Sequence, residues 1–290
     1  MLRGEFARAW EISDRVLRER AGAPCWHLPR HEQYIWHGRP LDGQRVLVRC
    51  YHGLGDTIQF IRFMRLLRAR GCEVIVWAQP ALLRLLETVD GIDRLLPLHD
   101  GDPGVEYDVD VEIMELPHVL RTTLETLPRA VPYVHVQPLD LRPTDRLRVG
   151  LVWRAGDWAE HRSIPFQSLQ PLVDVPVAWY VLQGYPGLHE CPADFGTVVG
   201  ATDLIEAARA IRALDLVITV DSMAAHLAGA VATPVWTLLS TAADWRWMRG
   251  RDDSPWYPTM RLFRQRRLDD WDPVIGQVAG ELLALVQARR

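Results

Sequence analysis

Short runs of apolar, β-branched residues alternate with segments of helical periodicity along most of this chain. Such continuous runs are typical of strands buried on both faces, and their separation by helices predicts parallel sheets covered on both sides. The alternation stops at residues 127–146, a stretch with four prolines, and then starts again. A β/α pattern interrupted by a proline-rich linker predicts an α/β protein with two Rossmann-like domains. The predicted strands are 45–50, 73–78, 94–98, 109–114, 148–153, 177–182, 216–220 and 235–239.

Helical periodicity and the linker set the predicted boundaries. The predicted helices are 4–20, 56–70, 80–89, 166–173, 203–213, 222–231 and 274–287. The predicted segments are an N-terminal helix and connector (1–40), a first Rossmann-like domain (41–137), a linker (138–146), a second Rossmann-like domain (147–273) and a C-terminal helix (274–290). No sequence repeat relates the two halves, so the expected similarity between them is architectural.

Composition and charge narrow the classes of function. The chain is 48% hydrophobic and 24% charged, as in ordinary globular proteins, and its formal net charge is -4. Its arginines are interspersed with acidic residues, so we expect no nucleic-acid partner. The four cysteines show no CxxC spacing, which argues against a zinc site and against a secreted disulfide framework.

The N-terminal residues and the longest apolar stretch predict a cytoplasmic location. The first twenty residues are too charged for a signal peptide. The longest apolar stretch, 226–243, contains Pro234 and is too short for a membrane span. We therefore expect no transmembrane segment, and any association with a membrane is expected to be peripheral.

The first notable strand-to-helix turn is HGLGDTIQ, residues 52–59. In open parallel sheets, ligands bind at the carboxyl ends of strands, where such turns lie. Gly53 and Gly55 permit a positive φ and a close approach of a ligand to the backbone. Asp56 is either a helix cap or a carboxylate that acts as a base or holds a ligand. The turn lacks the third glycine of the dinucleotide fingerprint and the GK[ST] of a P-loop.

The second turn, ITVDSMAAHLAGA (218–230), places Asp221 and Ser222 at the start of a helix. The small residues that follow leave the first N–H groups of the helix open, which suits a phosphate. His226 lies one helical turn after Ser222 on the same face, and is either a further phosphate ligand or a satisfied core histidine. Asp221 repels phosphate and fits better as a cap or a ribose contact.

The third turn, LVWRAGDWAEHRSIPFQSL (151–169), carries Arg154, Arg162 and Ser163. Arginines in such a loop are either diphosphate clamps or solvated surface residues. Asp108 and Asp110, in YDVDVE, could be mistaken for a DxD metal motif. Their alternation with valine favours a strand with one exposed face, so we predict no metal site.

Together these turns resemble those of glycosyltransferase family 9, the ADP-heptose lipopolysaccharide heptosyltransferases and their relatives. The resemblance covers roughly residues 36–275 and is strongest to a subgroup usually linked to tetratricopeptide repeats. It rests on GLGDTIQFIRF, GLVW, HRSIP, LDLVITVDSMAAHLAGA, DWRW and DSPWYPTMRLFRQ.

The resemblance implies a GT-B fold, in which two Rossmann-like domains with parallel sheets face across a cleft. It implies that the first domain takes the acceptor and the second the nucleotide sugar. By resemblance Asp56 is the base of an inverting, metal-independent transfer, and Arg162 stabilises the leaving diphosphate. The other implied donor-binding residues are Asp221, Ser222, Met223, Ala224, Ala225 and His226. The implied acceptor-side residues are His52, Gly53, Gly55 and Gln59.

The implied activity is transfer of a sugar, with heptose as the family example, to a hydroxyl of a glycan or a protein. No cofactor is expected beyond the nucleotide-sugar co-substrate, which the family suggests is an ADP-sugar. Tyr51 and His52 replace the acidic residue and glutamine usual in the repeat-linked relatives, and Ser222 replaces a threonine. A nucleotide-sugar epimerase of GT-B fold and a non-catalytic nucleotide- or glycan-binding module are the alternatives.

Overall fold

The computed structural model describes residues 1–184, 186–200 and 203–289, with the backbone alone at 157–159. The chain divides into two compact units, Met1–His135 and Val136–Arg290, here called unit 1 and unit 2. Within the described residues, no helix is long and apolar enough to cross a membrane.

Unit 1 is built on a parallel sheet with the strand order β3-β2-β1-β4. Its elements are α1 (Phe6–Glu19), β1 (Arg45–Arg49), α2 (Leu54–Phe60), α3 (Met64–Ala69), β2 (Glu73–Ala78), α4 (Leu83–Leu86), β3 (Arg94–Pro97), β4 (Val109–Glu112) and α5 (Leu116–Val119). Val46 of the central strand pairs with Val74 on one side and Val109 on the other. Because the chain leaves β1 toward β2 and later returns to its other side at β4, the strand order reverses between β1 and β4.

Unit 2 is built on a larger parallel sheet with the strand order β10-β9-β8-β5-β6-β7. Its elements are β5 (Arg148–Val152), α6 (Gln170–Val173), β6 (Ala178–Val181), β7 (Thr197–Val198), α7 (Leu204–Arg212), β8 (Leu216–Val220), α8 (Met223–Ala230), β9 (Val235–Leu239), β10 (Met260–Arg264) and α9 (Asp272–Ala288). Here the strand order reverses between β5 and β8. Such a reversal opens a crevice at the carboxyl ends of the two strands, where ligands of this fold class bind.

The α/β class with two parallel sheets is confirmed. Each predicted strand is present, and 73–78, 216–220 and 235–239 match β2, β8 and β9 at both ends. The predicted C-terminal helix is α9; Arg290, the last residue of its predicted segment, lies outside the described residues. Strands β7 and β10 were not predicted. The first has two residues, and the apolar run of the second is interrupted by arginines inside a polar, tryptophan-rich segment.

The helix predicted over 56–70 is interrupted. A 3₁₀ turn at Ile61–Phe63 separates α2 from α3. Arg62 in this turn is buried, and its Nε donates to the Gln59 carbonyl at 2.8 Å while Nη2 donates to the Tyr133 hydroxyl at 2.9 Å. The side chain therefore ties the helix to the end of unit 1, and this tertiary contact overrides the continuous helical periodicity of the sequence.

Helix α8 lies so close to its neighbours in unit 2 that only glycine fits at one position. A Cβ on Gly229 would stand 2.2 Å from Cδ1 of Tyr257, whose side chain is fully buried. No small shift relieves such an overlap, because a packed aromatic ring has nowhere to move. The glycine therefore fixes the distance between α8 and the tryptophan-rich segment that follows β9.

We predict that Gly229→Ala lowers the free energy of unfolding by about 1–3 kcal/mol, because the added methyl group overpacks the core. Urea unfolding followed by tryptophan fluorescence measures this change. Gly276→Ala is the matched control: Gly276 lies in α9 with nothing within 4 Å of an added Cβ. That substitution should stabilise by about 0.5–1 kcal/mol through helix propensity. Equal stability of the two variants would contradict the close approach at Gly229.

Candidate functional site

The turn after β1 is shaped by a contact between its first glycine and Asp56. Gly53 is the N-cap of α2, and its N–H donates to Asp56 Oδ2 at 3.0 Å. Gly53 has a φ of -67°, so the positive φ considered for this turn is not used there. A Cβ at Gly53 would lie 3.1 Å from the same carboxylate oxygen. A side chain at this position would therefore displace the Asp56 carboxylate by a few tenths of an ångström, and the glycine avoids this.

Asp56 is half-buried at the third position of α2 and closes the start of its own helix. A carboxylate in this position satisfies a backbone donor and interacts favourably with the helix dipole. Gly55 lies inside the helix, so its role as a turn glycine is not supported. The local geometry thus gives Asp56 a fixed orientation, which a capping role and a catalytic role would both use.

Gln79, at the end of β2, braces the turn from the side. Its Nε2 donates to the His52 carbonyl at 2.6 Å, and its Oε1 accepts from the Thr57 hydroxyl at 3.1 Å. One amide therefore holds the residue before the first glycine and the residue after Asp56. This arrangement joins the carboxyl ends of β1 and β2.

His52 meets a buried acid that the sequence analysis did not single out. Its Nδ1 lies 3.0 Å from Glu112 Oε1, and the Glu112 side chain is 1% exposed. Glu112 also accepts the N–H of Tyr51 at 3.2 Å and of Met114 at 2.7 Å. Glu112 ends β4, so it stands at the strand reversal of unit 1 beside the turn after β1. The sequence could have pointed to Glu112, because it is a carboxylate near the end of the predicted strand that contains VDVE.

Gln59 is the one predicted acceptor-side residue whose side chain is fully buried. It lies three residues after Asp56 on α2, and its side-chain amide has no hydrogen-bond partner within the described part of the chain. A buried amide without a partner destabilises a fold by about 1–3 kcal/mol. Such a group calls for a water or a ligand at this point of unit 1.

The structure of unit 2 brings two predicted site residues together at the strand reversal. Arg162 lies in the loop after β5 and Asp221 directly after β8, and Arg162 Nη1 is 3.3 Å from Asp221 Oδ2. Both side chains are largely buried, with 17% and 5% of their surfaces exposed. The ion pair therefore spans the crevice that the topology predicts as the ligand site.

Burial raises the pKa of the Asp221 carboxyl group, and the charge of Arg162 is the main influence that opposes this rise. The nearby Trp247 side chain and the charge of Arg246 act in the same direction as Arg162. Asp221 is therefore the buried counter-ion of Arg162, and Ser222 rather than Asp221 is the N-cap residue of α8. This pairing fixes the Arg162 guanidinium at the carboxyl edge of the sheet.

Ser222 is the N-cap residue of α8, but its hydroxyl does not cap the helix. It instead lies 3.0 Å from the Thr219 hydroxyl. Met223 is half-buried, and the small side chains of Ala224 and Ala225 are buried in the first turn of the helix. The first N–H groups of a helix have no partner within it, and the positive end of the helix dipole adds to their attraction for an anion.

His226 is held inside the core of unit 2. Its Nδ1 lies 3.0 Å from the Tyr257 hydroxyl, and its ring stacks on Trp247 with 5.2 Å between centroids. The side chain is 3% exposed. These contacts agree with a satisfied core histidine, and they show that the fully buried Trp247 and Tyr257 pack against α8 within unit 2.

The part of the chain that the structure describes contains no group of three or more His, Cys, Asp or Glu placed to hold a metal ion. Asp108 and Asp110 instead pair with arginines of β1. Asp108 Oδ1 lies 2.8 Å from Arg45, and Asp110 Oδ2 lies 2.9 Å from Arg49. Both acids thus have a structural role in joining β4 to β1.

Comparison with known proteins finds a family to which part of unit 2 is similar. Residues 186–265, from the region after β6 to the end of β10, match glycosyltransferase family 9 (heptosyltransferase). The chain is similar to this family. The matched region includes Asp221, α8 and the tryptophan-rich segment, so the resemblance inferred from these motifs is confirmed.

A curated relative and two solved structures extend the comparison. Protein FlbA of Caulobacter vibrioides is 25% identical over 318 residues, which cover 96% of this chain and 52% of that protein. The chain thus spans about half the length of this relative. A family 9 glycosyl transferase of Veillonella parvula has a TM-score of 0.64 at 13% identity, covering 85% of this chain and 99% of the other. The E. coli ADP-heptose lipopolysaccharide heptosyltransferase II has a TM-score of 0.61 at 14% identity, covering 84% and 99%. The GT-B fold is confirmed.

Glu115 gives a pH-dependent test of the region beside the turn of unit 1. Burial raises the pKa of this carboxyl group to about 7, although its Oε2 accepts the N–H groups of Glu112 at 2.8 Å and Trp36 at 3.0 Å. Because the folded state holds this proton more tightly than the unfolded chain, stability is greatest below the unfolded pKa of 4.5 and falls as pH rises through about 7.

We predict that Glu115→Gln removes this loss, since the amide oxygen still accepts both N–H groups but carries no charge. The free energy of unfolding of both proteins is measured with urea from pH 5 to pH 8.5. As the pH rises, the value of the variant relative to that of the wild type should increase by about 1–3 kcal/mol. A constant difference between the two proteins across this range would contradict the raised pKa.

Proposed function

We propose that this chain is an inverting glycosyltransferase that needs no metal ion. It moves a sugar from a nucleotide-sugar donor to a hydroxyl group of a glycan or a protein. Unit 2 binds the donor, and unit 1 supplies the base and the acceptor contacts. The family match in unit 2 and the GT-B fold support this proposal.

The observation that carries the proposal is the Arg162–Asp221 pair at the strand reversal of unit 2. A guanidinium held at the carboxyl edge, beside the start of α8, suits the negative charge that grows on a leaving diphosphate. The N–H groups at the start of α8 supply further donors without a metal ion. Asp221 keeps the guanidinium in place before the donor binds, and His226 keeps the helix seated on Trp247.

Asp56 is the proposed base. Its bond to the Gly53 N–H fixes the carboxylate at the carboxyl end of β1, where it accepts the proton of the acceptor hydroxyl as that oxygen attacks the sugar. His52, Gly53 and Gly55 form the proposed acceptor side. Gln59 joins them because its buried amide offers two donors and an acceptor that no described residue uses.

The donor is proposed to be an ADP-sugar, and ADP-heptose is the first to test. The name of the E. coli structural neighbour includes ADP-heptose, and this is the support for adenine. The cytoplasm is the proposed location, because nucleotide sugars are made there and the chain has the composition of a soluble protein.

We predict that one nucleoside diphosphate among ADP, UDP, GDP and CDP raises the melting temperature of the wild type, and that Arg162→Ala loses the shift. Arg162→Lys keeps a positive charge near Asp221 but loses the paired N–H donors that a guanidinium offers a diphosphate, so its shift should be intermediate. Arg209→Ala, which removes the half-buried partner of Glu206 on α7, is the control and should keep the full shift. The absence of any shift in the wild type would contradict a donor site in unit 2.

We also predict that Asp56→Asn abolishes sugar transfer and leaves nucleotide binding unchanged. The amide oxygen of asparagine still accepts the Gly53 N–H, so the start of α2 is kept while the base is lost. Transfer is measured as nucleoside diphosphate release that depends on the acceptor, with binding measured by calorimetry. Retained transfer would refute Asp56 as the base, and an isomer formed from the donor without acceptor would favour an epimerase.

A further inference from the structure

Two buried polar side chains at the ends of β9 and β10 have no part in the site described above. Ser240 is 3% exposed and Gln265 is 6% exposed. The Ser240 hydroxyl and both amide atoms of Gln265 find no hydrogen-bond partner among the described residues. Each such group destabilises the fold by about 1–3 kcal/mol unless a water or a ligand satisfies it.

The strand register makes these two side chains neighbours. Leu238 of β9 pairs with Phe263 of β10, and the ladder continues with the bond from the Gln265 N–H to the Leu239 carbonyl, at 2.9 Å. Two residues beyond the first pair stand Ser240 and Gln265. Because side chains alternate along a strand, both lie on the same face as Leu238 and Phe263, side by side at the carboxyl edge.

The same register connects them to the proposed diphosphate site. Val220 of β8 pairs with Leu238, so Ser222 at the start of α8 corresponds in position to Ser240. Along the carboxyl edge of the sheet, Ser222, Ser240 and Gln265 therefore follow one another in this order, with Gln265 farthest from the strand reversal. The residues directly after them, Thr241 and Arg266, are exposed, so this row is one residue from solvent.

A nucleotide sugar has its diphosphate in the middle and extends from it in two directions. On the β5 side of the reversal, a cavity of about 350 Å³ is lined by Arg154, Ile164 and Pro165 among others, which gives apolar and polar walls for a nucleoside. The other end of the donor then runs over β8, β9 and β10. A hydroxyl and an amide, each able to donate and accept, match the hydroxyl groups of a sugar.

We propose that Ser240 and Gln265 form the subsite that binds the sugar of the donor through its hydroxyl groups. This inference rests on the proposed function, since it needs the diphosphate at the start of α8. A buried polar group selects strongly, because a sugar that lacks the matching hydroxyl leaves it without a partner. The two side chains therefore determine which sugar the enzyme accepts.

The test compares affinity for a nucleoside diphosphate with affinity for its sugar derivatives, by calorimetry on the whole chain. The diphosphate is the one among ADP, UDP, GDP and CDP that binds the wild type. The sugar derivatives tested are those of that diphosphate: ADP-heptose and ADP-glucose for ADP, UDP-N-acetylglucosamine for UDP, GDP-mannose for GDP, or CDP-glucose for CDP. We expect a derivative to bind the wild type more tightly than the diphosphate alone. Ser240→Ala and Gln265→Met should each lower this ratio by about 3- to 10-fold while leaving the diphosphate affinity unchanged.

Thr237→Val is the matched control. Thr237 is also a fully buried residue of β9 whose hydroxyl has no described partner, but it lies one residue from Leu238, on the opposite face. Loss of the Thr237 hydroxyl should leave unchanged the ratio of the affinity for the sugar derivative to the affinity for the diphosphate. An unchanged ratio in both Ser240→Ala and Gln265→Met, or an equal drop in Thr237→Val, would overturn the subsite. So would a wild type that binds the diphosphate but gains nothing from any sugar. A wild type that binds no nucleoside diphosphate would overturn the proposed function, and the subsite with it.

Discussion

The buried ion pair between Arg162 and Asp221 is the interaction on which the site of unit 2 depends. It joins the loop after β5 to the end of β8, the two strands at which the sheet order reverses. Removing one member of such a pair leaves a buried charge without compensation, which destabilises by about 3–5 kcal/mol. The pair therefore holds the loop against the sheet and presents a guanidinium where the topology opens a crevice. On the proposed function, a diphosphate bound there would meet a donor that needs no reorganisation.

Unit 1 uses a different device to fix a charged group at its strand reversal. Asp56 is held by the first backbone N–H of its own helix, and Gln79 secures the turn on either side of it. The backbone N–H of Gly53 at the helix start helps to orient this carboxylate. In the proposed mechanism Asp56 is the base, whereas Asp221 pairs with Arg162 and positions its guanidinium. The two aspartates thus have different proposed roles because their partners differ.

The sequence predicted the parallel sheets well, since long β-branched runs such as VITV between helices leave few alternatives. It also placed the three candidate turns at the carboxyl ends of parallel strands, which lie at one edge of each sheet; their role in ligand binding stays a prediction. It did not predict β10, where arginines interrupt the apolar run, or the break at Arg62, which depends on a contact with Tyr133. The contacts of Arg162 with Asp221 and of His226 with Trp247 and Tyr257 depend on tertiary packing, so residue types alone left their interpretations open.

A crystal structure of the chain with ADP tests the central claim most directly. The account predicts diphosphate oxygens within about 3 Å of the first N–H groups of α8 and of the Arg162 guanidinium, at the strand reversal between β5 and β8. A diphosphate bound at another edge of unit 2, with the Arg162–Asp221 pair untouched, would contradict it.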